Sequence, residues 1–357
     1  MMMNRPQTHE PLPRVAFVAT GGTIAGKLLE SETPSGRYQS AQETGENLVL
    51  GIPGLLHRAK WQFEQPYSIG SQDLQLHHML HLRAVLVRLL QSSDVDGILV
   101  THGTDTMEDM LYFLYLTLPS DILVKPLLFT GAMLPSDHAE ADGPGNISAS
   151  LDFLLQSLQA SHVQMPFGLV MQGLFTPAQC VEKQSTAGLD AFDGPSSVTA
   201  DSTWRQGFDA LDLPSGSAMQ GEFAGLFEEN PVRHPLFEAM EVPVVYCAPG
   251  NAPVHQLNDL LNRKPASVVV AAPGHGNIPE ACVPALRRLL VGGVSVVRAS
   301  KVPTGGVVQG GEFDALDDFR EPVDGSHAGL FTEAGDLSLG KCVMLERLRV
   351  LARSLSI

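Results

Sequence analysis

The stretch Val15-Ala16-Phe17-Val18-Ala19-Thr20-Gly21-Gly22-Thr23-Ile24-Ala25-Gly26 decides the fold class. Its first five residues form an unbroken apolar run that stops at a glycine pair. A strand covered on both faces reads this way, whereas a half-solvated strand alternates apolar and polar residues. The two glycines allow a sharp turn or positive φ and let another chain segment come close. Thr20 and Thr23 flank them. Ligands of open α/β sheets bind beyond the carboxyl ends of the strands, so a threonine on this turn stands where a substrate would be met. A glycine turn without chemistry is the competing reading of this stretch alone.

The same residues come close to a phosphate loop. Gly21, Gly26 and Lys27 have its spacing, but Leu28 stands where a hydroxyl must hold Mg²⁺. Further along, Gly274-His275-Gly276-Asn277-Ile278-Pro279 puts a proline at the last glycine of a dinucleotide fingerprint. Neither motif supports a nucleotide cofactor.

The chain has 357 residues, enough for two domains, and 44% of them are hydrophobic, enough for sizeable cores. Its net charge of −16 disfavours a nucleic-acid scaffold, whose binding rests on basic side chains. Cys180, Cys247, Cys282 and Cys342 are scattered without a CxxC pair, so they read as buried thiols rather than zinc ligands or disulfides. The residues before Pro13 lack an apolar signal core, and no apolar run reaches membrane-span length. The expectation is a soluble cytoplasmic protein without membrane association.

Strand and helix patterns alternate along the chain. Lys27 to Gly45 is polar and aperiodic, as in a lid over a site. Helices are expected from Glu46 to Leu56, Asp73 to Leu90 and Asn146 to Gln159, and at the C-terminus. Buried strands are expected at Gly97 to Thr101, Pro126 to Gly131 and Phe167 to Met171. On the second helix, His77 and His81 lie one turn apart, but no glutamate or third ligand completes a metal site. From Leu213 to Glu241 the composition turns to Pro, Gly, Ser and acidic residues, which suits an interdomain connection. Beyond it, Val242 to Tyr246, Ser267 to Ala271 and Val294 to Arg298 read as strands. The expected domains are 13–212 and 242–357, joined by 213–241. Both are α/β, the larger N-terminal one with a doubly wound sheet.

A second polar cluster, Thr101-His102-Gly103-Thr104-Asp105-Thr106, follows the Gly97 strand. Asp105 or Thr106 can cap the next helix, and Glu108 and Asp109 suit its first turn. Capping accounts for one of these groups but not for all. Lys183, amid Gln, Ser and Thr, reads on its own as a surface lysine.

Taken together, Thr20-Gly21-Gly22-Thr23-Ile24-Ala25-Gly26 and His102-Gly103-Thr104-Asp105-Thr106-Met107-Glu108 resemble the two signature motifs of the bacterial-type L-asparaginase and glutaminase-asparaginase family. Gly70-Ser71-Gln72-Asp73, Ala141-Asp142-Gly143-Pro144, and Arg298 with Val302-Pro303-Thr304-Gly305 continue the resemblance in chain order. It runs from about Pro13 to the C-terminus. The resemblance implies hydrolysis of L-asparagine to L-aspartate and ammonia without a cofactor or metal. By position in the motifs, Thr23 would be the nucleophile, supported by Tyr38. Thr104, Asp105 and Lys183 would form a second triad. Ser71, Gln72, Thr104 and Asp105 would grip the substrate, with Asn251 joining them. Glu312 would reach across from another subunit of a homotetramer built as a dimer of dimers.

Chemistry agrees with these residue types. A threonine hydroxyl needs a base or a strong local field to attack. A zwitterionic amino acid needs a carboxylate for its ammonium and hydrogen-bond donors for its own carboxylate. Lys183 lies in Glu182-Lys183-Gln184-Ser185-Thr186, which departs from the family's small hydroxyl residues on both sides of the lysine. The segment Tyr246 to Ala252 blends two family variants around Asn251. Comparable glutaminase activity is one alternative, and a non-catalytic amino-acid-binding protein on the same scaffold is another. A related amidotransferase subunit carries an extra N-terminal domain; only about a dozen residues precede the first strand here, which disfavours that reading.

Overall fold

The apolar run opens the chain as β1 (Arg14–Ala19), buried from Val15 onward. The computed structural model describes residues 11–29, 38–159, 165–201, 203, 206, 219–227, 240–250, 253–307, 315–321 and 329–355. β1 is covered on both sides by parallel partners, β4 (Lys60–Glu64) and β5 (Gly97–Thr101). The sheet continues through β6 (Leu127–Thr130) and β7 (Phe167–Met171), both parallel, to the antiparallel β8 (Leu174–Pro177) and β9 (Val198–Thr199). Its order is β4-β1-β5-β6-β7-β8-β9. After β1 the chain adds a strand on one side and after β4 it crosses to the other. The carboxyl ends of β1 and β5 therefore flank the switch point, where a ligand crevice forms in such sheets.

Four described helices accompany this part of the chain: α1 (Gly45–Leu50), α2 (Leu76–Gln91), α3 (Met107–Thr117) and α4 (Gly143–Gln159). Val15, Phe17 and Ala19 pack in one core cluster with Ile147, Leu151 and Leu154 of α4. α1 is shorter than its expected span to Leu56, because Gly51 ends it and Gly54 turns at φ 79°. His78 has a local duty: its Nδ1 accepts the N–H of Gln75 at 3.1 Å, capping α2. The stretch expected to be aperiodic contains a small antiparallel ribbon, β2 (Lys27–Leu28) with β3 (Tyr38–Gln39).

In the C-terminal part, β10 (Val244–Tyr246), β11 (Ser267–Ala272), β12 (Ser295–Ser300) and β13 (Phe331–Glu333) form a parallel sheet in chain order. Helices α5 (Val254–Arg263) and α6 (Val283–Val291) cover one face, sharing a core with Val268, Val270 and Val296. On the other face α7 (Leu339–Ser354) packs on β11 and β12. The α/β expectation, with the larger sheet first, matches this architecture.

Packing divides the chain into two units, Met1–Met107 with Ser120–Leu211, and Glu108–Pro119 with Asp212–Ile357. All of α3 after Met107 thus belongs to the second unit, where Phe113 meets Phe227 edge to face, with ring centres 6.0 Å apart. Among the described residues, no helix is long and apolar enough to cross a membrane.

Candidate active site

The turn after β1 owes its shape to close backbone approach. Gly21 and Gly22 have φ of 97° and 80°, a region that costs other residues strain. A Cβ on Gly21 would lie 2.5 Å from the Ile69 carbonyl oxygen, and one on Gly22 would lie 2.5 Å from the Cα of Gly103. The turn after β1 and the loop after β5 therefore touch, each one residue before a threonine. Gly22 N–H donates to the Ile69 carbonyl at 2.8 Å, tying in a third segment that leads to Ser71.

Thr23 opens a single 3-10 turn, Thr23–Ala25, and is buried. Its Oγ1 lies 2.7 Å from Tyr38 Oη, the two hydroxyls sharing a hydrogen bond. Tyr38 is 41% exposed and comes from the ribbon strand β3. The loop from Pro135 to Asp142 holds this lid at its base. Ser136 donates to the Gly26 carbonyl through both its N–H (2.9 Å) and its Oγ (2.8 Å). The Asp137 carboxylate accepts the Leu28 N–H at 2.9 Å. Lys27, which a phosphate loop would aim at its ligand, instead pairs with Glu43 at 2.6 Å. That hydrogen bond, helped by one from Asn47, holds the Glu43 carboxyl below its ordinary range.

On the neighbouring loop, Lys183 Nζ donates to Thr104 Oγ1 at 3.0 Å and to Asp105 Oδ1 at 2.7 Å. The lysine side chain is only 16% exposed, while that of Asp105 is 60% exposed. The ion pair is thus covered from the lysine side and open from the carboxylate side. Ser71 Oγ accepts the Asp105 N–H at 3.2 Å, leaving its own proton to give. Thr106 Oγ1 donates to the Ser71 carbonyl at 3.1 Å, so Ser71 and the Thr104 turn are fastened to each other. Gln72, next in the same 3-10 turn, donates to Asp73 at 3.4 Å. His102 is buried, its Nδ1 2.8 Å from the Gly103 carbonyl. Burial pushes its pKa down to about 4, so it is a neutral spacer beneath the loop.

Thr23 and Tyr38 are therefore paired, and Thr104, Asp105, Lys183 and Ser71 form one hydrogen-bonded group. Asn251 and Glu312 lie outside the described residues. Two further side chains, noticed in sequence only as part of a motif or not at all, prepare the site. Asp142 accepts the N–H groups of Met133 and Leu134 at 3.0 Å each and the Asn146 amide at 3.1 Å. Asn146 also donates to the Gly131 carbonyl at 3.0 Å. The adjacent Gly143 lies so close to Ile24 that a Cβ there would fall 2.9 Å from Ile24 Cγ1, so this loop backs the residue following Thr23. An acidic residue followed by a glycine–proline pair and then an asparagine is the signal that marks such a loop stop.

Two family models match the chain. The Asparaginase, N-terminal model covers residues 14–206, and the Glutaminase/Asparaginase C-terminal domain model covers 241–346. This chain belongs to the asparaginase family.

Relatives agree with that assignment. The "Probable L-asparaginase periplasmic" of Haemophilus influenzae is 31% identical over 308 residues, covering 85% of this chain and 82% of that protein. "L-asparaginase 2" of Escherichia coli is 31% identical over 307 residues, again 85% and 82%. "Glutaminase-asparaginase" of Pseudomonas fluorescens is 29% identical over 312 residues, 85% and 79%. The crystal structure of the probable cytoplasmic L-asparaginase from Campylobacter jejuni has the same fold, with TM-score 0.74 over 95% of both chains at 24% identity. In this asparaginase-family chain, the threonine pair and the lysine triad both fall within the N-terminal family segment.

Proposed function

We propose that this chain hydrolyses the side-chain amide of L-asparagine to L-aspartate and ammonia, with Thr23 as nucleophile. The observation that carries the reading is the contact between Gly22 and Gly103, which brings the Thr23–Tyr38 pair and the Thr104–Asp105–Lys183 group to the sheet's switch point. Two activated hydroxyls beside an ion pair are more than amino-acid capture needs. The open Asp105 carboxylate suits the substrate ammonium, and the Ser71 hydroxyl, with Gln72 beside it, suits the substrate carboxylate. Thr23 Oγ then attacks the amide carbon as its proton passes to Tyr38 Oη, and Tyr38 gives its own phenolic proton on to the departing nitrogen. The C–N bond breaks and nitrogen leaves as ammonia beside Thr104, whose oxygen Lys183 holds by donation, while the acyl group stays on Thr23 as an ester. Water attacks that ester carbon, its hydroxyl going to the released L-aspartate and its proton returning through Tyr38 to Thr23 Oγ. No cofactor or metal enters this scheme.

Asn251 and Glu312 of the partner subunit complete each site in this reading, in a homotetramer arranged as a dimer of dimers. Light scattering giving four times the chain mass is the expected result, and a monomer with full activity would remove those two residues from the scheme. The cytoplasm is the proposed location, because the described cysteines form no disulfide. A glutaminase-asparaginase relative at 29% identity makes dual specificity the second reading. Ammonia release from L-asparagine by folded protein tests the main reading, and its absence at every pH overturns it. The ratio of kcat/KM for L-asparagine over L-glutamine separates the two readings: a ratio near one supports dual specificity, and a large ratio supports asparaginase.

A further inference from the structure

The sheet of the second packing unit has an unusual polar corner. On the face that α7 covers, the sheet is apolar at Val269, Val297 and Ala299. At the amino ends of the strands the same face carries serines, Ser267 and Ser295, which are register partners. α7 answers with one stripe, Glu346, Arg349 and Arg353. Glu346 is 3% exposed and accepts from Ser267 Oγ at 2.9 Å, Arg349 Nη1 at 3.1 Å and Arg353 Nη2 at 3.5 Å. Arg353 Nη1 also donates to Ser295 Oγ at 3.2 Å. Leucines and valines here would have packed like the rest of the face, without the cost of burying a charge.

These groups wall a cavity of about 540 Å³, open to solvent and within the range of small-molecule sites. It lies where α7 packs on β11 and β12, with the short strand β13 beside them in the sheet. Thr332 lines it from β13, and Phe223 and Leu330 give it an apolar side. The two guanidinium groups on the wall, whose side chains are 39% and 48% exposed, share the single carboxylate of Glu346, so an anion would be held by their remaining N–H donors rather than by an excess of positive charge. Glu333 at the margin is already paired with Arg298 at 3.3 Å and Arg320 at 2.5 Å. Glu222 at the rim disfavours a second negative charge in the ligand. Ser295 begins β12, so this cavity lies at the opposite end of the strand from the chain that leads to Glu312.

We propose that this trough between α7 and β13 binds a small organic anion, with its carboxylate or phosphoryl head on Arg349 and Arg353 and its apolar body against Phe223 and Leu330. The buried Glu346 acts as a positioning residue, holding both guanidinium groups toward the cavity so that little order is lost when the head arrives. The site is independent of the amide chemistry proposed above.

Titration calorimetry on the full chain tests it, with benzoate and phenyl phosphate as probes for the two head groups and benzylamine as the control of opposite charge. The expected result is saturable binding of one anion per chain, no binding of benzylamine, and at least tenfold weakening in the Arg349→Met, Arg353→Met double variant. The tighter of the two anions identifies the head group. Ala352→Phe fills the cavity while keeping the charges, so it must abolish binding even if the double variant does not fold. Absence of saturable binding by both anions overturns the proposal, as does binding that survives Ala352→Phe.

Discussion

The two threonine loops start alike and are held in different ways. Each follows a buried parallel strand, and each has a glycine just before its threonine, yet the Thr104 hydroxyl is held by a largely covered lysine while the Thr23 hydroxyl is held by a partly exposed tyrosine. Thr104 leads into α3, receives a hydrogen bond from Lys183, and sits on a turn stitched to Ser71. Thr23 has a partly exposed tyrosine as its side-chain partner, and its lid is fastened below, at Gly26, Lys27 and Leu28. A nucleophile must approach the substrate and then retreat, whereas the groups beside the leaving nitrogen work best when already in place. The difference in anchorage fits the roles proposed above for Thr23 and for the Thr104 group.

The sharpest way to break the comparison is to remove one hydroxyl from each loop. Thr23→Ala and Thr104→Ala should each cost kcat on the order of 10²–10⁴-fold, with circular dichroism unchanged. Lys183→Met should match Thr104→Ala, and the double variant should be hardly worse than either single one, because they act as one unit. Wild-type turnover in any of these variants would remove that residue from the scheme.

A second test concerns the rigidity beneath the Thr104 loop. His102 stays neutral in the folded chain down to about pH 4, against 6.5 for an ordinary imidazole. Below 6.5 the unfolded chain therefore binds a proton that the folded chain refuses. Stability is complete above that pH and declines as pH falls from 6.5 toward 4, by about 3 kcal/mol for this group. Chemical denaturation of His102→Gln across that window should show a flatter pH dependence than the parent. An equally steep profile would assign the acid sensitivity to other groups.

Smaller effects should mark the contact between the loops and the lid. Gly22→Ala adds a methyl where the Gly103 backbone already stands, at φ 80°, and should lose roughly 1–3 kcal/mol of stability together with much of kcat. Tyr38→Phe removes one hydrogen bond from a partly exposed ring. It should lower kcat on the order of 10²-fold and leave the melting temperature unchanged. A Tyr38→Phe protein that melts earlier but turns over normally would make the tyrosine a structural strut.

Legibility in the sequence followed the range of the interactions. β1 declared itself because burial on both faces leaves an uninterrupted apolar run, and both glycine turns carried local signals. β4, Lys-Trp-Gln-Phe-Glu, was not visible because an edge strand of five residues offers only two inward side chains, Trp61 and Phe63, to mark it. β13, with three residues, offered still less. At the site, motif spacing drew attention to Thr23, Thr104 and Asp105. Nothing adjacent to Lys183 distinguished it from a solvated lysine, because its partners lie 79 and 78 residues away in the chain. The supporting work of Asp142 and Asn146 was equally hidden, since it consists of hydrogen bonds to backbone whose course the sequence does not reveal.

The allegiance of α3 constrains how this protein can be divided. Its first residue completes the loop bearing Thr104, yet its flank, with Tyr112 and Phe113, is filled by the second packing unit. A fragment ending at residue 206, where the first family segment stops, would keep every group of the lysine triad and still expose a greasy helix that begins three residues after Thr104. The two family segments do not separate as simple cassettes, because the division between packing units falls after Met107 and Pro119 as well as after Leu211.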